Sequence, residues 1–176
     1  MRTTAFEKAG DCITDYDEYY VAIPLGGPSD RGAYTVDDFR PRRNAFVALI
    51  RFFAARCDEF VMRYDASDPH QVSEVNPFLP MTTQTGPAAQ FAGWATEVRG
   101  PITDLFLQTV LSAPPGSDGP SSSPIFDFQL QNQGAKRFAC GDYDDITISV
   151  GSDELAQLER ILENEGIDAT FVSTRI

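Results

Sequence analysis

Ile146-Thr147-Ile148-Ser149-Val150 alternates apolar and polar residues, Ser152-Asp153-Glu154 follows, and Leu155, Leu158, Ile161 and Leu162 then recur at helical spacing. A period of two followed by a period near 3.6 is a strand followed by an amphipathic helix. Ser152 is placed to cap that helix, and Asp153 and Glu154 suit the positive end of its dipole. Gly166 is placed to end it in a left-handed cap, and Ala169-Thr170-Phe171-Val172-Ser173 reads as a returning strand. A strand–helix–strand unit of this length is normally a right-handed crossover between parallel strands.

Upstream, Ile125 to Gln131 reads as a strand, Asn132-Gln133-Gly134 as a turn, and Lys136 to Cys140 as a second strand. Before them lies Ser112 to Pro124, SAPPGSDGPSSSP, whose prolines, glycines and serines break helices and pack no core. It reads as an exposed loop inside one domain that spans residues 1–176. Further back, Tyr19 to Ile23 is a strand that ends at Pro24 and the Gly26-Gly27-Pro28 turn. Residues 43–56 form an almost wholly apolar and hence buried helix, with Phe46, Val47, Leu49, Ile50, Phe52 and Phe53. Glu59 to Tyr64 fits strand or a continuation of that helix; strand is preferred, because the joined helix would be long for a domain of this size. Asp68 and Pro69 open a short helix to Val75. Pro87 to Val98 reads as a helix stopped by Gly100-Pro101, and Ile102 to Leu111 fits helix or strand, with helix preferred. No internal sequence repeat is present. The expected fold is therefore an α+β or α/β sandwich: a mixed, mostly antiparallel sheet of about five or more strands with helices packed on it.

The composition supports a folded protein. Hydrophobic residues make up 42% and charged residues 23%, and thirteen phenylalanines supply bulky core anchors. Twenty-six acidic against fourteen basic residues leave a formal charge of −12. The excess is uneven: residues 1–88 carry 9 basic and 13 acidic groups (net −4), residues 89–176 carry 5 and 13 (net −8). Such a surface repels nucleic acid and anionic membranes and attracts basic partners. Cys12, Cys57 and Cys140 are odd in number, widely spaced and without a CxxC pair, which argues against a disulfide framework or a zinc ribbon. With no apolar run at the N-terminus and none long enough to span a bilayer, the expected compartment is the reducing cytoplasm.

Catalytic motifs are missing. His70 is the only histidine, and nothing resembles GxSxG or a papain-type cysteine context, so no catalytic residue is assigned. Asp142-Tyr143-Asp144-Asp145 and Asp15-Tyr16-Asp17-Glu18 bunch hard oxygen ligands, but neither follows the calcium-loop pattern, and no metal or cofactor is assigned. The first fits equally a polar turn feeding the strand at Ile146. Arg40, Arg42 and Arg43 cluster where the apolar helix begins and could hold an anion; pairing with Asp37 and Asp38 satisfies them equally.

Asp15, Tyr16, Asp17, Glu18, Tyr19 and Tyr20 form the segment best suited to a partner. Tyrosine offers a large rigid face with a polar tip, and the acids would steer a basic protein. The competing reading is an edge strand with one tyrosine face in the core. The sequence thus points to a non-catalytic acidic domain that binds a basic protein, such as an inhibitor or immunity-type partner of a toxin or nuclease. The alternative is a small enzyme or ligand-binding protein with a cleft lined by Arg40, Arg43 and carboxylates. If residues 112–124 are a loop within one domain, limited proteolysis should cut there while both fragments stay associated, with one cooperative thermal transition. Fragments that separate and fold alone would contradict the single domain.

Overall fold

The structure is a computed structural model that describes residues 16–24, 38, 40–87, 95–112, 127–141 and 146–175. Its elements run β1 (Asp17–Ala22), α1 (Arg40–Ala54), β2 (Glu59–Asp65), α2 (Pro69–Val75), a 3₁₀ turn (Leu79–Met81), β3 (Thr83–Pro87), β4 (Ala95–Pro101), α3 (Asp104–Ser112), β5 (Asp127–Asn132), β6 (Ala135–Gly141), β7 (Ile146–Val150), α4 (Ser152–Asn164) and β8 (Thr170–Ser173). The eight strands form one sheet in the order β3-β4-β2-β5-β6-β7-β1-β8. Every neighbouring pair is antiparallel. The fold is α+β.

That order contains a repetition. β2, α2, β3, β4, α3 and β5 follow one another in the chain and lie in the sheet as β3-β4-β2-β5. β1, α1, β6, β7, α4 and β8 repeat the pattern as β6-β7-β1-β8. Each half is a βαββαβ unit in which the first strand sits between the two strands joined by the second helix, the split βαβ connectivity of ferredoxin-like folds. The first unit is nested inside the second, between α1 and β6. β7 and β8 are both antiparallel to β1, so they run parallel to each other as the crossover rule expects, but with β1 interposed.

One face of the sheet carries the core. Opposed residues across the strands share a face, and the row Val98–Met62–Phe128–Cys140–Ile146–Val21–Phe171 runs across seven strands on the helix-covered side. The two units are joined there by aromatic rings. Phe60 and Phe106 stack at 4.2 Å, Phe106 lies 6.1 Å from Phe128, and Phe128 meets Phe138 edge-on at 6.2 Å. Phe138 in turn meets Phe46 and Phe53 of α1 at 5.5 and 5.7 Å. Each such ring pair adds about 0.5–1.5 kcal/mol to the burial itself. The β5–β6 hairpin that fuses the units turns through Gln133 (φ 51°) and Gly134 (φ 79°), the double left-handed step that a two-residue loop requires.

Several expectations need correction. Pro87 to Val98 is not a helix where it is described: Ala95–Pro101 is strand β4, with Gly100 and Pro101 inside it, and residues 88–94 lie outside the described residues. Glu97 and Arg99 of that strand pair with charged groups on β2, a tertiary gain that outweighs local helical spacing. Thr83–Pro87 is a strand that its Gly86 and Pro87 concealed. Gly151, not Ser152, is the cap of α4; Ser152 is already helical, and the Glu154 carboxylate accepts from the Gly151 N–H at 3.1 Å. The segment Asp17–Ala22 is not an edge strand, since it is hydrogen-bonded to β7 and β8. Residues 113–126, with most of the expected loop, lie outside the described residues.

The Phe128–Phe138 contact should carry much of the coupling between the units. Phe138→Ala is expected to lower the unfolding free energy by about 3–5 kcal/mol in urea denaturation. Tyr20→Ala, at a half-exposed position on the opposite face, should change it by less than about 0.5 kcal/mol. A cost below about 1 kcal/mol at Phe138 would mean that the ring is not a keystone.

Candidate functional site

The segment expected to meet a partner is split by the structure. Tyr16 stacks on the Arg137 guanidinium, whose carbon lies 3.8 Å from the ring centre, and its hydroxyl accepts from Nη1 at 2.9 Å. Asp17 pairs with Arg175 at 2.8 Å and Glu18 with Lys136 at 2.6 Å. Tyr19 packs against the core, while Tyr20 on the opposite face is 49% exposed. The two tyrosines therefore divide between core and surface, as strand alternation requires. Asp15 lies outside the described residues.

Arg137 reaches its place through a β-bulge. Leu130 faces Phe138 but Gln131 faces Lys136, so Arg137 is the extra residue on β6. The bulge turns Lys136 to the face opposite the core helices, where it meets Glu18, and Arg137 to the helix side. There Arg137 is 2% exposed; its Nε donates to the Ser149 carbonyl at 2.8 Å and Nη2 to the Glu154 carboxylate at 2.7 Å. A second charged network crosses β2 and β4 on the face opposite the core helices, where Val61 and Glu97 are also buried. Glu97 accepts from Arg63 at 2.8 Å and from Arg99 at 2.7 Å, and Arg99 reaches Glu59 at 3.3 Å.

The other candidates fall apart from these groups. Arg40, Arg42 and Arg43 occupy the first turn of α1; Arg43 is exposed, and Arg40, Arg42 and Asp38 all have interaction partners. An open groove lined by Asp58, Glu59, Thr83 and Arg99 has neither Arg40 nor Arg43 in it. His70 is exposed at the start of α2, with its backbone N–H donating to the Asp68 cap at 2.8 Å. Burial, opposed by Arg137, pushes the Cys57 thiol up to about 12, so it stays protonated at neutral pH and is a poor nucleophile. Residues 142–145 lie outside the described residues, and among the described residues no group of three or more His, Cys, Asp or Glu could hold a metal.

The sequence reading gave no partner role to a third acidic stretch. Between Ser152 and Asp168 stand six acidic residues and one arginine. Glu154 is engaged by Arg137 and Arg56, but Asp153, Glu159, Glu163, Glu165 and Asp168 are exposed. None of those five has an ion pair among the described residues. Three of them, Glu159, Glu163 and Asp168, rim an open groove of about 410 Å³ whose floor is Leu162, Ile167, Ala169 and Phe171. Short windows favour Asp15–Glu18 and Asp142–Asp145; the carboxylates of this stretch are brought together by α4 and the turn after it. Comparison with known protein families, characterised proteins and solved structures finds no match. No helix among the described residues is long and apolar enough to cross a membrane.

The Glu97 network sets a pH dependence. Burial alone would raise the Glu97 carboxyl, but hydrogen bonds from Arg99 and Arg63 outweigh it and hold the group below its usual 4.5. A depressed carboxyl stabilises the fold above its unfolded value and loses that contribution as pH falls through the folded one. Glu97→Gln should therefore lower the melting temperature at neutral pH, and the gap from wild type should close as pH drops below 4.5. A gap that is constant from neutral to acid pH would show that the Glu97 charge is not the stabilising element.

Proposed function

We propose that this chain is a non-catalytic acidic binding domain that engages a basic protein in a reducing, cytoplasmic setting, in the manner of an inhibitor or immunity-type partner of a basic toxin or nuclease. The observation that carries the reading is the exposed acidic run of α4 and the turn after it, where five carboxylates outnumber the single arginine, Arg160, and make no ion pair among the described residues. Asp17 and Glu18 of the N-terminal segment contribute less long-range field, because Arg175 and Lys136 offset them. Clustered unpaired charge accelerates encounter with an opposite charge and sets a salt dependence, while exposed aromatic residues slow dissociation. Tyr20 is the tyrosine of the segment placed for that second role.

Capture on the immobilised chain at low salt, followed by purification of what is retained, supplies a pair for rate measurements. The retained protein should be basic. Combining Glu159→Gln, Glu163→Gln, Glu165→Gln and Asp168→Asn should slow association about tenfold and flatten its salt dependence, with little change in dissociation. Tyr20→Ala should instead speed dissociation, by about 2 kcal/mol if it is an anchor. A partner whose association ignores both salt and the four substitutions would overturn the reading.

A further inference from the structure

β8 is the last strand of the sheet, and among the described residues it pairs only with β1. The direction of its free groups follows from one bond. The Thr174 N–H donates to the Glu18 carbonyl at 3.0 Å, toward β1. Backbone groups alternate edges along a strand, so Thr170 and Val172 also face β1, and the N–H and C=O of Phe171 and Ser173 face outward. An outward row of unpaired donors and acceptors is a template for another strand.

Both faces beside that edge are prepared for side chains. On the helix-covered face lies the groove floored by Leu162, Ile167 and Phe171 and rimmed by Glu159, Glu163 and Asp168. On the opposite face Tyr20 and Val172 are registered partners, 49% and 51% exposed, and form an apolar cross-strand pair. A strand added to β8 would send alternate residues to these two surfaces. The groove suits lysine or arginine, with the aliphatic stem on the apolar floor and the cation among the carboxylates. The Tyr20–Val172 pair suits an apolar residue.

We propose that β8 is a docking edge for an extended basic segment of the partner protein, which adds as a ninth strand with alternating cationic and apolar side chains. The inference deepens the reading of the chain as a binder of basic proteins and rests on it. Charge complementarity selects this occupant: a second copy of the chain would bring the same carboxylates against Glu159, Glu163 and Asp168, and like charges repel.

The probe is a short capped peptide of alternating lysine and valine, with a control of equal charge in which prolines replace the valines and prevent strand pairing. The alternating peptide should bind, slow hydrogen exchange at the Phe171 and Ser173 amides, and lose affinity about tenfold or more with Ser173→Pro. Ser173 points its N–H outward, so that substitution removes a donor without breaking a bond to β1, and a melting curve close to wild type verifies the fold. Combined Glu159→Gln, Glu163→Gln and Asp168→Asn should weaken binding and flatten its salt dependence. Equal, salt-sensitive binding of both peptides, or an unchanged affinity in Ser173→Pro, would overturn docking on β8 while leaving the basic-partner reading in place. Binding of neither peptide would count against both. Exchange at Phe171 and Ser173 already slow in the free monomer, or slow only where the chain dimerises, would assign the edge to the chain itself or to a second copy and would likewise overturn the proposal.

Discussion

A guanidinium leaves water without a large penalty only when its donors are matched and its charge is answered. Arg137 meets both conditions with groups drawn from separate parts of the chain. It donates to Tyr16 just before β1, to the Ser149 carbonyl on β7, and to Glu154 in the first turn of α4. Its flat face lies on the Tyr16 ring and its carbon is 6.0 Å from the Phe53 ring of α1. The outer unit is cut in two by the nested one, so its N-terminal strand and helix must find the C-terminal strands across a long insertion. Among the described residues, Arg137 is the one buried charge that touches both pieces. The bulge that aims it is correspondingly a structural requirement and not a flaw in the ladder.

Charge is distributed by role. On the face opposite the core helices, over β2 and β4, Arg63, Glu97, Arg99 and Glu59 answer one another. At β1, Asp17 and Glu18 are matched by Arg175 and Lys136. The exposed pairs at β1 contribute little to stability, about 0–1 kcal/mol each, but they cancel field. The carboxylates of α4 beyond Glu154 are not cancelled in this way. Much of the negative potential of this end of the sheet therefore arises from a helix that already satisfies its core with Leu158 and Leu162. Packing and charge occupy opposite sides of one element.

Where local chemistry decides structure, the sequence was legible. Asp68 and Pro69 announce α2, which runs from Pro69 to Val75, with the Asp68 side chain accepting from the His70 N–H. Alternation placed Ile146 to Val150, and an apolar stripe with Gly166 at φ 70° placed α4 and its end. Glu59 to Tyr64, which fitted either state, is strand because Phe60, Met62 and Tyr64 face the helices while Arg63 meets Glu97. The failures share one cause. β4 looks helical until its partners on β2 are known, and Arg137 looks like one more surface cation until the register slip on β6 is seen. The repeated unit left no sequence trace because it is a repetition of strand order and connection, which dissimilar residues can satisfy. For the site, the acidic excess of the second half was visible, but its convergence on one groove needed β8 to lie beside α4.

Nesting also has a cost in time. The inner unit is complete once Asn132 has been made, and all its strand pairings lie within Glu59–Asn132 apart from the fusion to β6. α1 is made first yet cannot cover its apolar face until β6 and β7 exist, since Phe46 and Phe53 pack on Phe138. Roughly 80 residues separate the end of α1 from the start of β6. At about 5–20 residues per second on the ribosome, that strip of phenylalanine and leucine is without its final neighbours for on the order of ten seconds. The outer unit is thus the late-forming part of the molecule, although it contains the first strand to be synthesised among those described.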